Sequence, residues 1–560
     1  MTDTDPVDLL VEGTLVDVTT GTLDDRTIAV DDGEIVGFGT RPAKEALEAE
    51  YVTPGLIDAH MHVEASMVTV PQYGDAVLPN GVTGVVHDPH EIANVLGVDG
   101  VREFCADADR TPLKARLTVP SSVPASGRQD SGAVLDSAAV DALLDLDEAI
   151  ALGEVMDLDG VLAGDDEIHE KIASARERGL PVDGHVPGVT GPELQALARY
   201  LDTDHESVEL AEARAKADAG MYVYLREGST SKNLDALVDL VGAVDSRRLA
   251  LCTDERNVVD LFEGGGVNTA VRKAMQLGVD PVTAVRMATL NVAEVYDLPT
   301  GRVEPGAPAD MVLLSELESW SVDHVIVDGV IDPTAGPPPA AGSALPGDTV
   351  TFDHVAPADL AIEHAGPGPV TVRVPSAVGD FRTERRTAPV PVEWRGETGV
   401  LCGNPNEDVH PMAVIERHGG PGNVGRGFVH NLGLDRGAVG TTVAHDAHNC
   451  VVTGVTHEAM ARVANELRAV GGGLCVYDPE TAECTTLRLP IAGLLSDEPI
   501  RETAAAFEAV SDAADGIGLS VPGGIMELSY LALEVIPTYR LTNNGLVDVA
   551  EGSFVDVVVE

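Results

Sequence analysis

The sequence predicts an α/β protein: a (β/α)8 TIM-like barrel with a small composite β domain and a C-terminal domain of α/β type. Three observations carry this. Between residues 51 and 300, short apolar runs alternate with helical stretches, and each run ends in polar residues, the pattern of repeated βα units around a parallel sheet. The flanking stretches 1–50 and 301–335 read as short strands with tight turns. A Pro/Gly/Ala-rich segment, "DPTAGPPPAAGSALPGD", then precedes a further mixture of strands and helices and reads as a linker.

Taken in order, "LLVEGTLVDV" and "RTIAVDDGEIVGFG" are alternating apolar runs, and "DDG" is a hairpin signal. Eight runs follow: "VTPGLIDAHMH", "GVTGVVHDPH", "ARLTVPSS", "AIALGEVMD", "LPVDGHVPG", "LDTDHES", "MYVYLREGS" and "RLALCTDE". Eight parallel strands predict a closed barrel, with chemistry at the C-terminal strand ends. "DPVTAVRMATLNVAEVYDL" is expected to be one amphipathic helix. "GRVEPGAPADMVLL" and "VDHVIVDGVI" return to strands and complete the β unit begun at the N-terminus. The expected organisation is therefore 1–50 plus 301–335, a barrel over 51–300, a linker over 336–364 and a last domain over 365–560. That domain holds strands such as "PVTVRVPS" and "GLCVYD" and the helix "THEAMARVANELRAV". The 560 residues accommodate three or four units at ~150 residues each.

The strand ends carry an unusual set of side chains. Alternation within a strand points His60 and His62 of "PGLIDAHMH" the same way. An isolated pair of this kind is equally well a satisfied core pair. The remaining ends add Glu154, His185, His205 and Asp254, and in a barrel these ends face one another. Four imidazoles and two carboxylates suit zinc, iron(II), manganese or cobalt, with donors enough for two ions sharing a bridging group. Asp254 is also placed to accept and deliver a proton.

Other candidates are weighed against plainer roles. His90 and Glu91 follow the second run and are candidates for substrate binding, against a helix start with Asp88 as N-cap and Pro89 at the first turn. Arg226 and Glu227 end the seventh run and can orient a heterocycle through charged hydrogen bonds; an exposed ion pair is the alternative. Ser121 and Ser122 are weaker candidates. His445, Asp446 and His448 in "GTTVAHDAHNCVV" can line a site, hold a further metal, or simply form buried hydrogen bonds. "HVE" at His62–Glu64 lacks the PCxxC partner of cytidine-type zinc deaminases. "GPGNVG" at Gly420–Gly425 has no convincing helix after it and reads as a loop. His169 is expected on a solvated helix face.

Composition excludes other partners. Ninety-two acidic against 36 basic residues give a formal charge of −56, which repels nucleic acid and anionic membranes. Only six of the basic residues are lysine and acid is spread along the whole chain, a pattern that fits adaptation to high salt, where screening over ~3 Å at molar ionic strength relieves self-repulsion. The melting temperature is therefore expected to rise from dilute buffer to molar KCl, and a flat or falling melting temperature contradicts that reading. No signal-type segment and no apolar run near the ~18 residues of a membrane span is present, so a cytoplasmic location is expected. The six scattered cysteines read as free, mostly buried thiols. Oligomeric state is left open, a homo-oligomer included.

On "PGLIDAHMH", "DGHVPG", "DHES", "CTDE" and "EPGAPADMVLL" the chain resembles the amidohydrolase superfamily. On "HDPHEIANVLG", "GEVMD", "REGSTSKNL", "AHDAHN" and "PIAGLLS" it is more similar to bacterial and archaeal adenine deaminases, over essentially its whole length. Many relatives place a carboxylated lysine on strand four; this chain has Glu154, which matches the deaminase pattern and can bridge two metals unmodified. The resemblance implies a divalent metal cofactor, two ions of manganese or iron(II) with zinc also compatible. It also implies hydrolysis of adenine to hypoxanthine and ammonia by a metal-activated hydroxide, a purine-salvage reaction. The rival readings are an amidohydrolase cleaving a cyclic amide and a noncatalytic barrel scaffold. A lysine at 154 would favour the first, and loss of ligands the second.

Overall fold

The computed structural model describes residues 6–334, 344–379 and 381–559. The chain divides into two compact units. One takes in the chain up to Pro89, Phe104–Ser121 and the stretch from Asp136 to the Pro/Gly-rich segment, and the other His90–Glu103, Ser122–Leu135 and the C-terminal chain.

In the first unit a seven-stranded sheet joins both flanks of the barrel segment. It combines Val7–Asp17, Thr22–Asp31, Glu34–Phe38 and Ala43–Pro54 with Met311–Glu316, Ser321–Val327 and Val330–Ile331. Met311 pairs with Pro54 across the junction. At the "DDG" turn Asp32 and Gly33 have φ of 51° and 78°, the two positive values a tight hairpin requires. Alternate residues Leu9, Val11 and Leu15 pack on Ile28, Val30, Val52 and Leu313. The run "VTPGLIDAHMH" is split: its first residues belong to this sheet and its last to the barrel. Between them is Gly55, where a Cβ would meet the Thr83 hydroxyl at 2.1 Å.

The barrel segment has parallel strands β1 (Leu56–Met61), β2 (Val82–His87), β3 (Lys114–Val119), β4 (Ala149–Val155) and β5 (Val182–Gly184) in one sheet. In a second sheet are β6 (Thr203–Asp204), β7 (Tyr222–Arg226) and β8 (Leu249–Cys252). Asp202 N donates to Val182 O at 2.8 Å, His62 N to Asp254 O at 2.8 Å and Asp254 N to His60 O at 2.9 Å. These bonds link the two sheets at both ends, so the parallel sheet curls on itself in a TIM-like α/β domain. Ile57 and Ala59 pack with Ala250, Cys252, Val292 and Ala293, which leaves Asp58, His60 and His62 on the opposite face. Asp58 ties β1 to β8 by accepting the Thr253 N–H at 3.0 Å and hydroxyl at 2.5 Å. Burial pushes its carboxyl up to about 7 even so.

The helix expected over 280–298 is two helices, Pro281–Met287 and Leu290–Tyr296. Thr289 between them bonds its hydroxyl back to Val285 O at 2.8 Å and leaves helical backbone angles, the competition with the ladder expected of a short hydroxylic side chain. His169 is not simply solvated: its Nε2 lies 2.9 Å from Val161 O and its ring packs edge-on against Tyr200.

The second unit is built on an eight-stranded sheet that includes Val409–Ile415, Ala438–Thr441 and Cys450–Gly454. Helix His457–Val470 covers it, capped by the Thr456 side chain and ended by Gly471 at φ 85°. Met460, Val463 and Leu467 join Ala413, Val452 and Cys475 in its core. Of the expected linker, residues 335–343 lie outside the described residues, while Val355 and Leu360 are buried in this same core. The Gly420–Gly425 run leads into strand Val424–His430 rather than a helix. All six cysteines are free, and four are buried. Among the described residues no helix is long and apolar enough to cross a membrane.

Candidate active site

Five strand ends of the first unit bring His60, His62, Glu154, His185, His205 and Asp254 into one mouth. His60 Nε2 and His62 Nε2 are 3.1 Å apart, with Asp254 Oδ1 at 3.4 and 3.3 Å from them. Glu154 spans the other side: Oε1 is 3.5 Å from His62 Nε2, and Oε2 is 3.2 Å from His205 Nε2 and 2.8 Å from His185 Nδ1. The His60 and His205 rings stack at 4.0 Å. All are buried except His185, whose side chain is 30% exposed. Fully extended backbone would put residue 254 on the face of Cys252; its φ of 60° breaks the alternation, and aspartate tolerates that left-handed turn better than most residues.

Two groups of three residues in this mouth can each hold a metal ion, His60–His62–Asp254 and His60–Glu154–His205, and His185–His205–Glu206 forms a third. The tautomers fit. His62 Nδ1 lies 2.8 Å from Asp88 O; a carbonyl only accepts, so the proton sits on Nδ1 and a neutral His62 offers its Nε2 lone pair to the mouth. Burial, with the neighbouring His205, pushes His60 down to about 4 and keeps it neutral. Burial opposes the charged forms of His62, Glu154 and Asp254 too, but is outweighed. Asp254 and Glu154 hold His62 well above its usual range, His185 and His205 hold Glu154 well below, and Arg226 with the two strand-one histidines holds Asp254 well below. A cation binding at these donors therefore competes with protons for them.

Neighbouring groups fix these side chains. Arg226 Nη1 donates to Asp254 Oδ2 at 2.6 Å and also bonds Glu206. Asp88 Oδ2 accepts from Glu154 N at 2.9 Å, and the N-cap of the helix His90–Ala108 is Pro89 rather than Asp88. Ser121 Oγ donates to Glu154 O at 2.6 Å. Sequence reasoning missed Glu206, although it directly follows a candidate ligand at a strand end. It also missed the support under β5 and β6. There, fully buried Lys216 donates to Asp204 at 2.8 Å, Ser207 at 2.9 Å and Glu212 at 2.7 Å, while Asp204 takes the Val186 N–H at 2.9 Å. Lys216→Met is expected to lower stability by about 3–5 kcal/mol, because it strands two buried carboxylates. An unchanged denaturation midpoint contradicts that support role.

Glu227 turns to Lys273 at 2.7 Å and Lys232 at 3.8 Å, so Arg226 and Glu227 do not pair with each other. His90, Glu91 and Ser122 belong to the second unit. There Glu91 Oε1 is 2.7 Å from His445 Nδ1 and Oε2 is 2.5 Å from His448 Nε2, with Asp446 Oδ1 3.9 Å from His90 Nε2. His448 Nδ1 accepts the Ala444 N–H at 3.1 Å, which puts its proton on Nε2, facing the carboxylate.

A TIM-like domain whose strand ends gather imidazoles and carboxylates in this way has the architecture of a metal-dependent hydrolase, and residues 51–331 match the amidohydrolase family. Residues 382–553 match the adenine deaminase C-terminal domain. An adenine deaminase of Desulfatibacillum aliphaticivorans is 37% identical over 560 residues, covering 99% of this chain and 97% of that protein. One of Nitratidesulfovibrio vulgaris is 40% identical over 575 residues with the same coverage. A crystal structure of an adenine deaminase aligns with a TM-score of 0.44 at 18% identity, covering 58% of this chain and 99% of that one. The chain belongs to the adenine deaminase family of amidohydrolases.

Proposed function

We infer that this protein hydrolyses adenine to hypoxanthine and ammonia, a purine-salvage reaction of the cytoplasm in a high-salt organism. Whole-length similarity to adenine deaminases supports the substrate. The chemistry rests on one observation: Glu154 presents one oxygen to His62 and the other to His185 and His205, which places a carboxylate among imidazoles that would hold divalent ions. We read the eight strands as a closed barrel in which His60, His62, Glu154, His185, His205 and Asp254 would hold the divalent ions. Manganese and iron(II) suit the donors, and zinc is compatible. Divalent ions bound there supply the Lewis acidity that makes water a nucleophile near neutral pH.

The chain's own residues do the rest. Asp254 takes the proton of the attacking water on Oδ1 while Arg226 holds Oδ2, and returns a proton to the purine ring or the departing amine. The water oxygen bonds to C6, the exocyclic C–N bond breaks, and ammonia leaves. Arg226 serves as a positioning residue for Asp254.

The test is a panel of purines and cyclic amides assayed for ammonia in high salt with defined metals. Adenine is expected to release ammonia. Turnover of a hydantoin or dihydropyrimidine without turnover of adenine supports the rival enzyme, and a protein purified without stoichiometric metal supports a scaffold.

A further inference from the structure

In a chain with 92 acidic and 36 basic residues, one depression of the first unit collects four cations. It has a volume of about 270 Å³ and is lined by Lys232, Arg256, Arg272 and Lys273 beside Glu227 and Asp260. Two of the six lysines of the whole chain are among them. Its walls come from the segments after β7 and β8 and from helix Asn268–Gln276. On that helix Arg272 and Lys273 lie three and four residues after Thr269, on one face.

Three buried arginines, Arg256, Arg417 and Arg540, meet only uncharged acceptors, and of these Arg256 lines the depression. Arg256 is 6% exposed, yet its guanidinium meets only uncharged acceptors: Asp260 O at 3.0 Å, Thr269 Oγ1 at 3.3 Å and Glu227 O at 3.5 Å. Its Nε is buried without a hydrogen-bond partner. Among the described residues, neither Arg256 nor Arg272 has a carboxylate in ion-pair contact; Arg417 and Arg540 also lack one, but each fills its Nε with a backbone carbonyl, which Arg256 does not. A buried charge is ordinarily paired. The Asp260 and Glu227 carboxylates act on Arg256 only through space, so no carboxylate in direct contact neutralises this charge on the wall of the depression.

We propose that this depression is a phosphate-binding subsite in which Arg256 and Arg272 share the oxygens of a phosphate group and Lys232 adds charge at the rim. The planar guanidinium fork matches a tetrahedral oxyanion bidentately. Segments after the seventh and eighth strands are also where barrel enzymes often hold phosphate. Lys273 is already engaged by Glu227 and Asp235 and contributes background charge. The group is carried by inorganic phosphate or by a nucleotide.

The test uses the full-length, metal-loaded protein at constant ionic strength, with inorganic phosphate and 5′-AMP titrated separately against the melting temperature. Wild type is expected to show a saturable rise with at least one of them, and which one responds identifies the source. Arg272→Ala, a partly exposed change, is expected to keep adenine turnover and the ligand-free melting temperature but to weaken the apparent affinity by about tenfold or more, the loss expected for a charge-assisted hydrogen bond. Arg256→Lys, which keeps the charge but not the fork, is expected to weaken it as well. Absence of a saturable rise with either ligand, or an equal rise in wild type and Arg272→Ala, overturns the proposal.

Discussion

Asp254→Asn is expected to preserve the fold and much of the bound metal while lowering kcat by ~10²–10⁴, the range for removal of a general acid–base group. Asparagine keeps one oxygen donor and tolerates the left-handed backbone at φ 60°, so little besides the basic carboxylate is lost. Arg226 retains Glu206 as a partner and stays charged. Turnover and bound metal are measured on one sample, in the salt that best stabilises wild type. Near wild-type turnover removes Asp254 from the mechanism. Loss of turnover together with all metal shows that Asp254 is needed for coordination and leaves its proton-transfer role unproved.

Exhaustive chelation is expected to abolish ammonia release, and manganese or iron(II) to restore it. The physical basis is the donor set: the six mouth residues offer little to an adenine ring without an ion to organise water. Metal uptake competes with the proton held on His62 by Asp254 and Glu154, so reconstitution is expected to weaken as pH falls. Full activity in a rigorously metal-free preparation contradicts this reading.

Much of the curled parallel sheet was legible because its strands are buried on both faces and so read as apolar runs, each closed by polar residues at the end that faces the mouth. His60 and His62 were legible together because strand alternation alone puts them on one face. The orientation of Asp254 was not, since it depends on a single positive φ after β8. The Lys216 support joins β6 to a helix through side chains whose burial no local pattern reveals. The boundary at Gly55 is set by the close approach of Thr83, and the break at Thr289 by a hydroxyl that any helix-period count treats as neutral. Segments His90–Glu103 and Ser122–Leu135 fall within the stretch read as barrel, yet they join the C-terminal unit. Glu91 meets His445 and His448 there, a pairing between distant parts of the chain with no local signature.

The most direct measurement is conversion of adenine by the metal-loaded protein in H2 18O, with ammonia quantified and the purine product weighed by mass spectrometry. Hydrolysis at C6 predicts one ammonia per adenine consumed and one 18O atom in each hypoxanthine formed. No conversion by protein shown to carry metal, or hypoxanthine without solvent oxygen, would contradict metal-assisted hydrolysis of adenine at this mouth.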